Sequence, residues 1–184
     1  MKPTSYYLNS RREDLELERE MKEQTVYYFA YGSNMSRRQM RQRCKKSEYV
    51  GPARLQDWEL KERTFADVDR HSKHNVHGIA WKVTKNCQRS LDLYEGVRSG
   101  LYERVWDYIT LEDGERVLAL IYTETKETKK HRSKDAFSLS YVALCTESAL
   151  DCGIPVAKLY RERLKAYGEL MGEDVDIRRH ALNW

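Results

Sequence analysis

The sequence predicts an α+β fold in a single domain, with several mostly antiparallel strands and a few helices. Three observations predict it. The length, 184 residues, suits one core, because two halves would each sit near the size at which burial becomes marginal. Several runs carry strand composition, and two of them flank Asp113-Gly114, a hairpin signal. Stretches of helical character, stopped by glycine, lie between and after them. No internal repeat or linker marks a second domain. The domain is placed at residues 26–175, after a charged extension at 1–25 and before a tail at 176–184.

Each element has its own reason. Residues 10–23 are dense in charge of both signs, with only Leu15 and Leu17 as an apolar stripe, which predicts a solvated helix or a mobile extension. That extension is a candidate contact for a homodimer. Residues 26–31 are β-branched and aromatic, the composition of a buried strand, and they end in Gly32-Ser33-Asn34. A helix follows over 36–44, with Ser33, Asn34 or Ser36 as candidate caps. Residues 76–83 alternate, placing His77, Ile79, Trp81 and Val83 on one face. A short helix carrying Leu91 and Tyr94 stops at Gly96. Strands over 102–112 and 115–123 flank a two-residue turn at Asp113-Gly114. A hydrophilic loop over 123–135 leads into a helix near 136–150, ended by Gly153, and Pro155 opens another toward Leu170.

Composition excludes several classes. Lys and Arg number 33 against 29 Asp and Glu, a net charge of only +4, short of the usual nucleic-acid footprint. Cys44, Cys87, Cys145 and Cys152 form no CxxC pair and are too few for a disulfide scaffold. No apolar run approaches the roughly 18 residues of a membrane span, and residues 1–24 lack the apolar centre of a signal peptide. The expectation is a soluble cytoplasmic protein with no membrane partner.

Two segments carry chemistry. Tyr28-Phe29-Ala30-Tyr31-Gly32-Ser33-Asn34-Met35 is a buried strand emptying into a turn whose backbone N–H groups suit a phosphate, a carboxylate or an oxyanion. It is neither a P-loop nor a GxGxxG turn, so phosphate-bearing cofactors lose their signature. Taken alone, it also reads as a capped strand-to-helix connection. Leu91-Asp92-Leu93-Tyr94-Glu95-Gly96-Val97, followed by Gly100 and Tyr102, places Glu95 at a helix end. There the helix dipole and burial both raise a carboxyl pKa toward neutrality, which suits a general base. Taken alone, Glu95 reads as an exposed helix-end residue.

Together these two segments resemble the gamma-glutamylcyclotransferase family, and Tyr141, Cys145, Gly153-Ile154-Pro155 and Tyr160 resemble its late segment more loosely. The resemblance spans about residues 26–165. It departs at Ala136-Phe137-Ser138, where relatives often carry Pro-Ser. The resemblance implies a small, mostly antiparallel barrel-like sheet with flanking helices. It also implies release of 5-oxoproline by attack of a substrate's alpha-amine on its own gamma-carbonyl, with no metal or cofactor. Glu95 matches the family's catalytic glutamate. The resemblance puts Tyr28, Phe29, Ala30, Tyr31, Gly32 and Ser33 at the substrate, with Tyr102 and Tyr141 as pocket hydroxyls and Asn34 bracing the turn. The partner is a small gamma-glutamyl compound, whose leaving side would meet loops at 63–75 and 123–135. A relative that binds such compounds without turning them over, as a sensor, is the alternative.

Three other features compete. His71, His74 and His77 lie near Asp67 and Asp69, but their spacing matches no helical metal motif, so a polar loop entering a strand is expected and no metal site. The cysteines read as buried thiols. Arg37, Arg38, Arg41, Arg43, Lys45 and Lys46, with Tyr27, Tyr28 and Tyr49 nearby, suggest a nucleic-acid surface, yet no RNA-binding signature accompanies them, so no nucleic acid is expected. Their field at the pocket mouth would favour a substrate with a free carboxylate.

Overall fold

A computed structural model describes residues 24–131 and 136–182. The predicted extension at 10–23 lies outside them, as does part of the 123–135 segment. Five strands close into a barrel in the order β1-β3-β2-β4-β5. Their bounds are β1 Thr25–Ala30, β2 Glu48–Glu62, β3 Ala66–Thr84, β4 Tyr102–Leu111 and β5 Arg116–Glu124. All neighbours run antiparallel except β1 and β5, which meet in parallel through Tyr27↔Ala119 and Tyr28↔Leu120. Phe29, Leu55, Ile79, Ile109, Leu120 and Ile121 lie in the core, each fully buried.

The helices are α1 Arg37–Arg43, α2 Lys85–Tyr94, α3 Lys126–His131, α4 Leu139–Asp151, α5 Lys158–Met171 and α6 Ile177–Leu182. Short 3-10 turns occupy Ser33–Met35 and Val97–Ser99. Of the three candidate caps for α1, Ser36 does the work, its Oγ accepting from Gln39 N–H at 3.4 Å. Thr84 caps α2 through Cys87 N–H at 3.2 Å, and Ser138 caps α4 through Tyr141 N–H at 3.3 Å. Helix α4 is the most buried, packing Tyr141, Val142 and Cys145 into the main core beside Phe137 and Tyr160. Residues 177–182 form helix α6, whose Ala181 packs on Ala143 and Leu144 of α4.

Four segments differ from the sequence reading. Residues 66–75 are strand, not loop: they pair with β2, from Glu62↔Ala66 to Gln56↔Asn75, as a ribbon whose tip returns to β5 through Asp67. Its middle, residues 70–75, is exposed, so apolar alternation is missing there. The β4–β5 connection is longer than two residues: Leu111 N–H bonds Glu115 O at 2.8 Å, enclosing residues 112–114, and Gly114 N–H bonds Leu111 O at 3.0 Å. Residues 126–131 of the hydrophilic loop form helix α3. Pro155 precedes α5 by three residues, and Ala157 is its N-terminal boundary. No helix among the described residues is long and apolar enough to cross a membrane.

Candidate active site

The end of β1, the end of α2 and the tip of the β2–β3 ribbon enclose a cavity of about 240 Å³. Tyr28 and Tyr31 reach it from β1 and its exit, and Gly32, Ser33 and Asn34 from the turn. Glu95 enters from the end of α2, Tyr102 from β4 and Tyr141 from α4. Phe29 and Ala30 do not line it. Both side chains are buried in the main core.

Gly32 is required by close approach: a Cβ there would lie 2.6 Å from the Tyr141 hydroxyl. That hydroxyl in turn accepts from Ala66 N–H at 3.0 Å, tying α4 to the ribbon tip. Gly96, at φ 64°, supplies the left-handed residue that ends α2 and turns the chain immediately after Glu95.

Glu95 caps α2, its N–H bonding Leu91 O at 2.8 Å, while its half-buried side chain opens on the cavity. Burial pushes its carboxyl up to about 7, opposed by the Arg43 charge and by a hydrogen bond from Asn34. Asn34 Nδ2 donates to Glu95 Oε1 at 3.1 Å and to the Tyr28 hydroxyl at 2.9 Å. Its Oδ1 accepts from Arg43 Nη1 at 2.6 Å. A guanidinium can only donate, so Arg43 dictates which end of the Asn34 amide faces Glu95. Arg43 also approaches Ser33 Oγ at 3.3 Å and rests on the Tyr94 ring, 4.7 Å from its centroid. Asn34 thus braces the turn and also touches Glu95, a contact that spacing does not reveal.

The remaining wall was not legible as a site. Tyr122 packs edge-on against Tyr28 at 5.8 Å and donates to Asp92 Oδ1 at 2.9 Å, an acid also held by Arg104. Phe65, Ala66 and Leu101 add apolar surface. Of the two loops expected near the leaving side, Phe65 and Ala66 are the described residues that reach the cavity. Burial keeps the Tyr28 and Tyr141 phenols well above their ordinary range, and so neutral. Within the basic stretch, Arg37 stacks on Tyr49 at 3.9 Å and Arg38 donates to Ala181 O at 3.0 Å. All four cysteines are buried free thiols.

Comparison with known proteins bears on the family and the fold. Residues 28–140 match the family described as gamma-glutamyl cyclotransferase, AIG2-like. The chain is 28% identical over 156 residues to human gamma-glutamylcyclotransferase, covering 78% of this chain and 79% of that protein. It is 30% identical over 114 residues to the bovine protein of the same name, covering 55% and 61%. A solved structure titled gamma-glutamyl cyclotransferase shares the fold with a TM-score of 0.64 at 27% identity, covering 78% of this chain and 88% of that one. With more than half its length matched and the barrel in common, this chain belongs to the gamma-glutamyl cyclotransferase, AIG2-like family.

Proposed function

We propose that the protein releases 5-oxoproline and a free amine or amino acid from a gamma-glutamyl compound, with Glu95 as the group that moves the proton. The observation that carries this reading is a single carboxyl, raised to about 7, facing an enclosed cavity beside the glycine turn. Such a carboxyl is matched to an alpha-ammonium, whose ordinary pKa is about 8.

Glu95 takes a proton from the ammonium, and the freed amine attacks the gamma-carbonyl of the same molecule. A carbon–nitrogen bond closes the five-membered ring while the carbonyl electrons move onto oxygen. The turn at residues 31–33 offers backbone N–H groups to that oxyanion. The oxyanion collapses, the original amide carbon–nitrogen bond breaks as Glu95 returns its proton to the leaving nitrogen, and the regenerated carboxylate then relays the ring nitrogen's second proton to the freed amine, giving the neutral lactam and an ammonium. Holding nucleophile and carbonyl in one substrate supplies an effective molarity of about 10⁵ M or more, so the step as written uses no metal or organic cofactor. Tyr102 and Tyr141 position the glutamyl unit. Arg43 supplies the counter-charge for a substrate carboxylate.

The test is incubation with a panel of gamma-glutamyl amino acids and amines, with 5-oxoproline detected by mass. Glu95→Gln keeps the shape and removes the base, and should lower the rate by about 10²–10⁴. Unchanged 5-oxoproline release by the folded variant would overturn the assignment.

A further inference from the structure

We propose that Glu59, His71 and His74 form a site for one divalent transition-metal ion of borderline softness, zinc or copper, clamped across the β2–β3 ribbon. One ligand atom from each residue lies within 4.8 Å of the others. His74 Nδ1 is 4.0 Å from Glu59 Oε1, and the His71 and His74 rings are 4.1 Å apart between centroids. Zinc bonds of about 2.0–2.1 Å hold tetrahedral ligand atoms roughly 3.3 Å apart. Rotation of solvent-facing side chains closes that difference.

A regular strand would not bring these imidazoles together, since residues three apart point to opposite faces. The ribbon departs from regularity at this point. Its register passes from Gln56↔Asn75 to Trp58↔Arg70, so residues 71–74 bulge opposite the single residue Asp57. Asp57 at φ 58° and Lys73 at φ 69° are the non-glycine residues with positive φ among those described. Backbone of this kind costs energy and persists where its surroundings over-determine it. Here it moves His71 and His74 to one side of the ribbon, next to Glu59.

The ring nitrogens and the carboxylate are disposed for the purpose. His71 Nδ1 lies 3.0 Å from Ser72 O. A carbonyl only accepts, so Nδ1 carries the hydrogen in the neutral ring and Nε2 carries the lone pair. Metal-bound histidines are commonly oriented in this way, through a backbone carbonyl on the other nitrogen. Lys61 occupies Glu59 Oε2 at 2.7 Å, leaving Oε1 toward His74. Two imidazoles and one carboxylate are the donor set that zinc and copper favour over calcium or magnesium. The fourth position faces solvent beside a cavity of about 500 Å³ bordered by Glu59, His74 and His77. An ion bound there ties β2 to β3 on the same ribbon whose tip presents Phe65 and Ala66 to the active-site cavity.

The experiment uses the full chain without a histidine tag, stripped by a chelator. Zinc chloride is titrated calorimetrically, and copper(II) binding is followed by electron paramagnetic resonance. One ion per chain is expected, with nitrogen coupling in the copper spectrum. His71→Ala and His74→Ala should each weaken binding by more than about tenfold. His77→Ala removes a neighbouring exposed histidine and should leave binding unchanged. The substituted side chains are solvent-facing, and circular dichroism verifies the fold of each variant. Lack of saturable one-to-one binding, indifference to either triad substitution, or equal loss in His77→Ala overturns the proposal.

Discussion

Glu95 shows how a residue's surroundings decide its chemistry. With its carboxyl raised by burial to about 7, kcat/KM for 5-oxoproline release should climb with pH along a limb centred near 7, as the base form fills. Arg43 pulls that value down, so Arg43→Met should move the limb to higher pH while Arg43→Lys keeps most of it in place. A pH–rate profile checks both. Stability runs the other way. The folded chain binds the Glu95 proton more tightly than the unfolded chain does, so this group's contribution falls as pH rises from about 4.5 to about 7. Glu95→Gln should therefore raise the thermal midpoint at pH 8 more than at pH 4, as calorimetry would show. The glutamate and the glycine turn are legible in the sequence because a local motif surrounds each. Asn34 and Arg43 are not legible as its partners, because 61 residues separate Asn34 from Glu95 and only the closed barrel brings them together.

At the scale of elements, helix α2 is short and its far end carries Glu95, so its start matters to the site. Loss of the Thr84 cap in Thr84→Ala should cost about 1 kcal/mol, measured by urea unfolding, with a smaller loss of rate than Glu95→Gln gives. The turn has a steric limit instead. Gly32→Ala puts a methyl against the Tyr141 hydroxyl and should cost about 1–3 kcal/mol. Strands β1, β4 and β5 are legible because aromatic and β-branched runs fill them. Strand β2 and the first half of β3 are not. Residues 70–75 face water, and Glu48–Glu62 mixes charge with apolar side chains, so neither shows a clean period of two. Helix α3 hides for a similar reason, as its residues 126–131 read as hydrophilic throughout. Lys129 nonetheless reaches inward to Asp69 at 2.7 Å.

At the scale of the molecule, Asp67 is the charge around which several elements meet. It is fully buried, accepts from Thr123 Oγ1 and Glu124 N–H at 2.9 Å, and pairs with Arg63 and with Lys129 at 3.4 Å. Ribbon tip, β5 and α3 are thereby joined beside Ala66 in the cavity wall. Asp67→Ala removes the acceptor of the buried Glu124 N–H while Arg63 and Lys129 keep Asp69, and should cost about 1–3 kcal/mol, read from denaturant unfolding. The parallel seam between β1 and β5 also bears on how the protein is born. Strand β1 leaves the ribosome with one edge bare, and its partner follows only after β2, β3 and β4 have been made. The bond from the Tyr31 hydroxyl to Tyr122 O spans 91 residues. A nascent chain arrested before residue 116 already holds the glycine turn and Glu95, yet it is an open sheet without the Tyr122 wall. The pocket wall is complete only after the seam closes and α4, later in the chain, adds Tyr141.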